Sequence, residues 1–173
     1  MATLTVFRFE TEGGAAQAVN LIEELQKQAL IQLHDAAIVT WPIGAKKPRT
    51  KHLSHMTGRG ALDGTFWGIL LGIIFFAPFF GMPIGAAMGA LAAKFRRYGI
   101  NNEFIRNIRE RVTEGSSAVF LLTSGAVTDK VADAAKSLPR FELITSNLSD
   151  VQEAALREAF SGELKAAAPG AAA

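Results

Sequence analysis

A run of 29 residues, 65–93, carries no charge at all. It lies inside a segment, 60–94, that reads GALDGTFWGILLGIIFFAPFFGMPIGAAMGALAAK. Gly60, Gly64, Gly68 and Gly72 recur every four residues in its first part, and Gly81, Gly85 and Gly89 do so in its second. On a helix that spacing lays each set along one face, and a face without side chains lets two backbones approach closely. Pro78 and Pro83, with Gly81 between them, interrupt any continuous helix. The segment reads as two helical arms joined by a reversal at Pro78 and Pro83: an apolar glycine-zipper hairpin.

One bilayer crossing needs only about 20 apolar helical residues. The broken centre argues against a single crossing, and so do the flanks. Lys46, Lys47 and Arg49 precede the block, and Lys94, Arg96 and Arg97 follow it. Positive charge marks the cytoplasmic side, so both flanks want the same side, with these six residues at the headgroups. Each arm would span roughly 20–25 Å, short of a ~30 Å hydrocarbon core. The hairpin would thus enter the membrane without crossing it cleanly. The glycine faces suit packing of arm against arm within one chain or, in the sharper reading, packing between chains. The other side of the first arm is bulky (Phe66, Trp67, Leu70, Ile73, Ile74) and calls for lipid or more protein.

The charge is unevenly spread. Residues 46–111 hold eleven Lys and Arg against Asp63, Glu103 and Glu110, a net of +8, while the rest of the chain carries a net of −6. Basic charge bracketing an apolar block fits an anionic lipid surface. The absence of cysteine excludes disulfides, thiolate metal sites and thiol nucleophiles. The first residues lack the layout of a secretory signal, which favours the cytoplasmic side.

Around the block the chain alternates strands and helices. TLTVFRF (3–9) has apolar residues on both faces and reads as a central strand. A helix follows to about Leu33, on the stripe Ala18, Ile22, Leu25, Ala29 and Leu33. Residues 35–41 form a second strand stopped by Pro42, and 49–55 a short edge strand or loop. After the block, Asn101 or Asn102 caps a helix with Phe104, Ile108 and Val112 inward and Arg106, Arg109 and Arg111 exposed. Residues 116–123 (SSAVFLLT) read as a second central strand. A short helix starts at Thr128, with Val131, Ala132, Ala135 and Leu138 inward, and an alternating strand spans 141–146. Ser149 and Gln152 form a capping box for a last helix that buries Val151, Ala155, Ala159 and Phe160. The expected architecture is an α+β, ferredoxin-like domain of two β-α-β halves with one antiparallel sheet. Residues 1–59 give the first half and a basic linker, 60–97 the inserted hairpin, 98–164 the second half with its extra C-terminal helix, and 165–173 a disordered, low-complexity tail.

These residues resemble a known group. A β-α-β start, a basic linker, the GxxxGxxxGxxxG arm with Trp67, a Pro-rich centre, a GxxxG arm ending in basic residues and a second β-α-β with SSAVFLL are similar to an uncharacterised bacterial "predicted membrane protein" family, a domain of unknown function. The resemblance covers nearly the whole chain to about Phe160. It implies membrane association and supplies no activity and no catalytic residues.

Catalytic constellations are weak. His52 and His55 stand three apart, with His34, Asp35 and Asp63 as conceivable further metal ligands that the sequence does not place. Ser116-Ser117 and Ser124-Gly125 lack a G-x-S-x-G elbow, and Gly13-Gly14 lacks the G-x-G-x-x-G spacing of a dinucleotide turn. Glu23 and Glu24 diverge on a helix. The arginines near 96–111 suit lipid headgroups better than nucleic acid, which usually brings exposed aromatic residues. The sequence therefore predicts a non-enzymatic homo-oligomer without cofactor or metal. Its hairpins would lie in or on the bacterial cytoplasmic membrane, with the α/β domain on the cytoplasmic side. The alternative is a soluble cytoplasmic ring, shell or filament that buries its hairpins between subunits. A pore or small-molecule site at the hairpin centre has no polar lining to support it.

Overall fold

Alternation along the first strand sets up a two-faced sheet. Leu4 and Val6 point into one apolar cluster, and Phe7 and Phe9 into the other. The computed structural model describes residues 3–53, 64–76, 100–124 and 128–146. In chain order the elements are β1 (Thr3–Phe9), α1 (Gly14–Lys27), β2 (Gln32–Thr40), β3 (Arg49–His52), α2 (Gly64–Leu71) running on as a π-helical turn (Gly72–Phe76), α3 (Asn102–Arg111), β4 (Ser117–Ser124), α4 (Thr128–Ala135) and β5 (Phe141–Ser146). The strands form one antiparallel sheet in the order β3-β2-β4-β1-β5. The two strands expected at the centre, β1 and β4, lie side by side in its interior. The sheet has one strand more than the four of the expected ferredoxin-like domain, because Arg49–His52, within the stretch read as an edge strand or loop, pairs with residues 37–40 of β2 at the edge.

Helices cover both faces. On the first, Ala15, Ala18, Val19, Ile22 and Leu25 of α1 and Ala135 of α4 pack over Phe9, Ala36, Val119, Leu121 and Phe141. Phe141 meets Phe7 edge-on, with ring centroids 5.6 Å apart. On the second, α2, the π turn and α3 pack over Leu4, Val6, Ala37, Val39, Phe120, Leu122 and Ile144. Leu138 packs beside the first cluster, while the side chains of Val131 and Ala132 fall outside the described residues.

The two ends of α1 are held differently, and the second departs from the expected reading. Gly13 caps it without a side chain, and the free acceptor comes from another strand: the Ala15 N–H donates to Ser117 Oγ at 3.0 Å, and that hydroxyl donates to the Thr11 carbonyl at 2.6 Å. Gly14 lies so close to Phe9 that an added Cβ would stand 2.3 Å from the Phe9 Cβ. The helix stops at Lys27, not near Leu33. Ala29 takes a left-handed φ of 56°, its N–H bonds the Gln26 carbonyl at 3.0 Å, and the Leu30 N–H bonds the Leu25 carbonyl at 2.9 Å. These two bonds form a Schellman closure. Gln32 and Leu33 then pair with Ser124 and Thr123, so β2 starts three residues earlier than expected. Its register shifts between Leu33 and Asp35. The apolar stripe misled because Leu33 is buried equally well as a strand residue.

α3 starts as read: Asn101 is its cap, accepting the Phe104 N–H at 2.8 Å. The last helix expected around 151–160 and the tail 165–173 lie outside the described residues.

Candidate interaction surface

The first arm, α2 with its π turn, rests its bulky side on the domain's own sheet. Phe66, Trp67, Leu70, Leu71, Ile73, Ile74 and Phe75 are all buried. Trp67 meets Phe120 of β4 at 6.2 Å and Phe66 at 5.4 Å, both edge-on, and Phe75 meets Trp41 at 6.5 Å. Each such side chain gains about 1.5–3 kcal/mol on leaving water, so on the order of 10–20 kcal/mol holds the arm in place. Lipid would replace those contacts on the arm but leave the sheet's second face, among the described residues, to α3 alone. The bulky side thus meets protein, and the protein is this chain's own sheet.

The glycine side faces away. Gly68 is exposed, Gly72 is partly so, and among the described residues a Cβ added at either would meet nothing within 4 Å. Gly64 begins α2, with its surroundings outside the described residues. Gly60, Gly81, Gly85, Gly89, Pro78 and Pro83, and with them the second arm and its reversal, also lie outside. Among the described residues no helix is long and apolar enough to cross a membrane.

The basic residues gather at one end of the sheet. Register puts Thr40, Arg49, Phe9, Ser117 and Phe141 at that end. Lys47 sits there with its ammonium 5.7 Å from the centre of the Phe76 ring, so it adjoins the end of the first arm rather than its start. Lys46 neighbours it in the loop after Trp41, and Arg49 is exposed on β3. Lys94, Arg96 and Arg97 lie outside the described residues. That loop is rigidly tied: the Trp41 Nε1–H donates to the Ala45 carbonyl at 2.9 Å, and the Ile43 N–H to Glu12 Oε1 at 2.9 Å.

Of the arginines expected to be exposed on α3, only Arg106 is. Arg109 donates from Nε to the Ile74 carbonyl at 2.8 Å and from Nη2 to the Ile73 carbonyl at 3.0 Å. It caps the carbonyl end of the first arm, where a cation also meets the negative end of the helix dipole. Partial burial pulls its pKa below the ordinary value. Arg111 pairs with Glu142 of β5. Glu142 sits on the face under α3, so the alternation of β5 places a carboxylate inside rather than in solvent. The sequence offers no sign of these partners, because they come from elements more than thirty residues apart.

A polar cluster lies under the arm. Asp35 is fully buried, and its Oδ1 accepts the Ala36 N–H at 2.9 Å and lies 2.7 Å from His52 Nε2. The His52 ring stands 6.3 Å from the Trp67 ring. Asp35 Oδ2 and Trp67 Nε1 are buried without a hydrogen-bond partner among the described residues. His34 instead goes to the opposite edge of the strand pair, 2.7 Å from Ser124 Oγ, which donates to Gln32 Oε1 at 3.1 Å. A hydroxyl that donates to Gln32 receives the imidazole N–H, the reverse of what a nucleophile needs from a base. Ser116 and Ser117 spend their hydroxyls on the Thr113 and Thr11 carbonyls. Among the described residues no three His, Asp or Glu side chains converge as metal ligands, and His55 and Asp63 lie outside them.

Comparison with known proteins is sparse: no curated protein and no solved structure matches the chain. One family model does, over residues 61–161. It begins just before α2 and ends beyond β5, so it includes the first arm, α3, β4, α4 and β5 and leaves out β1, α1, β2 and β3. That span exceeds half of the chain, and the protein belongs to the family described as "Protein of unknown function (DUF1269)".

Proposed function

We propose that the protein is a non-enzymatic, membrane-associated homo-oligomer whose subunits meet through the glycine face of the hairpin. The observation that carries this reading is the two-sidedness of the first arm. Its bulky side is held on the sheet, and Gly68 and Gly72 are turned away from it, with no described residue within 4 Å of a Cβ added at either. A helix so anchored offers a smooth, rigid backbone to a second helix, from the second arm or from another copy. The domain behind it is read as ferredoxin-like. Without β3 the strand order is β2-β4-β1-β5, with α1 and α4 on one face, which supports that reading. Lys46, Lys47 and Arg49 crowd the end where the first arm finishes at Phe76. That end is the natural one to face anionic headgroups on the cytoplasmic side of a bacterial membrane. In this reading the uncharged run 77–93 is what meets lipid.

Gly68→Leu tests the assembly. A Cβ at this exposed position meets no described neighbour within 4 Å, so the fold should survive, with an unchanged far-UV circular dichroism spectrum. The oligomer seen by light scattering in mild detergent should fall apart. An oligomer of unaltered size would dismiss the glycine face as the contact.

A second reading, a soluble assembly, is favoured by one fact: the bulky side of the first arm is already satisfied by the sheet and needs no lipid. Carbonate washing of membranes separates the two. Release of a large particle into the supernatant supports the soluble assembly, and retention in the pellet supports the membrane protein.

A further inference from the structure

The turn after β2 carries a side chain that the fold does not use. Among the described residues Ile43 is the only large apolar side chain left exposed, at 79%. It stands second in the turn Pro42-Ile43-Gly44-Ala45, closed by the Ala45 N–H on the Pro42 carbonyl at 3.1 Å. Gly44, the third residue, has the positive φ, 84°, that a type II turn asks of that position, while the second position accepts most residues. The turn therefore needs Gly44 and makes no demand for isoleucine. It is also held fast. The Ile43 N–H donates to Glu12 Oε1, the Gly44 N–H to Glu114 Oε1, and the Gly115 N–H to the Trp41 carbonyl at 2.7 Å. A lone exposed isoleucine is ordinary on a surface; the surroundings of this one are not. Just before the turn, the Trp41 ring meets Phe75; just after it, Lys47 lies over the Phe76 ring. The turn thus flanks the end of the first arm, from which the chain runs on into the uncharged residues 77–93.

We propose that Ile43 enters the headgroup–acyl boundary of an anionic bilayer, with Lys46 and Lys47 at the lipid phosphates beside it. The contact presupposes the membrane reading above and specifies its surface and its lipid. An apolar tip with basic neighbours has the composition of an interfacial anchor. Because the turn is already ordered, little freedom is lost when Ile43 is immersed. The lysine stems can lie along acyl chains while their ammonium groups stay at the phosphates. The two carboxylates at the turn, those of Glu12 and Glu114, are tied to its backbone N–H groups. Lys46 and Lys47 form no ion pair among the described residues, which leaves their charge for the lipid.

The chain has no cysteine, so Ile43→Cys places one environment-sensitive dye on the otherwise intact full-length protein. It is mixed with vesicles of phosphatidylglycerol and phosphatidylcholine, or of phosphatidylcholine alone. With the anionic vesicles the emission should move to the blue, and nitroxide-labelled acyl chains should quench it. Gln32→Cys, exposed at the other end of β2 and roughly 25 Å or more from the turn, should keep its aqueous emission. In sedimentation with anionic vesicles, Ile43→Ser should weaken binding about tenfold. Lys46→Gln and Lys47→Gln should each weaken it about fivefold there and leave binding to phosphatidylcholine unchanged. If the chain sediments with vesicles while the dye at position 43 stays in water, the membrane reading stands and the Ile43 contact falls. If the chain stays in the supernatant, both fall. If the emission shifts without vesicles as protein concentration rises, a second copy covers the turn and the lipid contact is overturned.

Discussion

Ala29 is a residue in a conformation that it does not favour. Its φ of 56° places a Cβ where glycine is the usual choice for closing a helix. The left-handed region costs an alanine roughly 1–2 kcal/mol, and glycine gives back about 0.4–1 kcal/mol in the unfolded chain. Ala29→Gly should therefore raise stability by up to about 1 kcal/mol, a rise of about 2–4 °C in Tm by differential scanning calorimetry. An unchanged or lower Tm would show that the Cβ contributes packing beyond the Schellman closure. In the sequence this alanine passes for one more position on an apolar stripe, which is why the helix was expected to run on. Asp35 is similarly hidden: it reads as the polar start of a strand, yet the fold buries it beneath Trp67 with His52 as its partner. Hydrophobic periodicity shows which positions are inside, but not which polar groups the inside must then accommodate.

Among the elements, the first arm shows how local and distant information divide. Its helical form and bulky side are legible from spacing alone. That the sheet takes up the bulky side is not, because the partners Leu4, Val6, Ala37 and Phe120 come from three separate strands. Arg109 fixes the far end of the arm from α3 by bonding the Ile73 and Ile74 carbonyls. Arg109→Met keeps the apolar stem and removes both bonds. Loss of a charge-assisted pair of this exposure is expected to cost about 1–2 kcal/mol locally. Amide exchange in the π turn should speed up about tenfold, while exchange in β4 stays as it was. Equal acceleration in both would place Arg109 in the global fold rather than at the end of the arm. The exposed reading of Arg109 and Arg111 failed for one reason: amphipathic spacing places arginines off the apolar stripe of α3, and only the neighbouring elements decide whether solvent waits there.

At the scale of the whole molecule, the two halves of the chain are interleaved, not juxtaposed. β4 enters between β2 and β1, so neither half has a contiguous sheet of its own. The pairing of halves was legible, since each strand with apolar residues on both faces demanded neighbours on both sides. The fifth strand was legible only as an edge strand or loop over 49–55, because a four-residue polar edge such as RTKH carries almost no pattern, and the covering of the second face was not legible. A fragment of residues 61–161 retains β4 and β5 but loses the β1 that lies between them. It should give a poorly dispersed NMR spectrum alone and recover dispersion when residues 1–53 are added in trans. A well-dispersed spectrum of the fragment by itself would show that a second arrangement of the strands exists. The interleaving also has a consequence in time. During synthesis the apolar arm emerges from the ribosome before β4, the strand that completes its docking platform, which ends only at Ser124. At about 5–20 residues per second the arm waits for several seconds with Trp67, Leu70 and Ile74 unclaimed. Any apolar surface nearby competes for it in that interval. The rate of elongation, as much as the final energies, thus helps decide where the arm comes to rest.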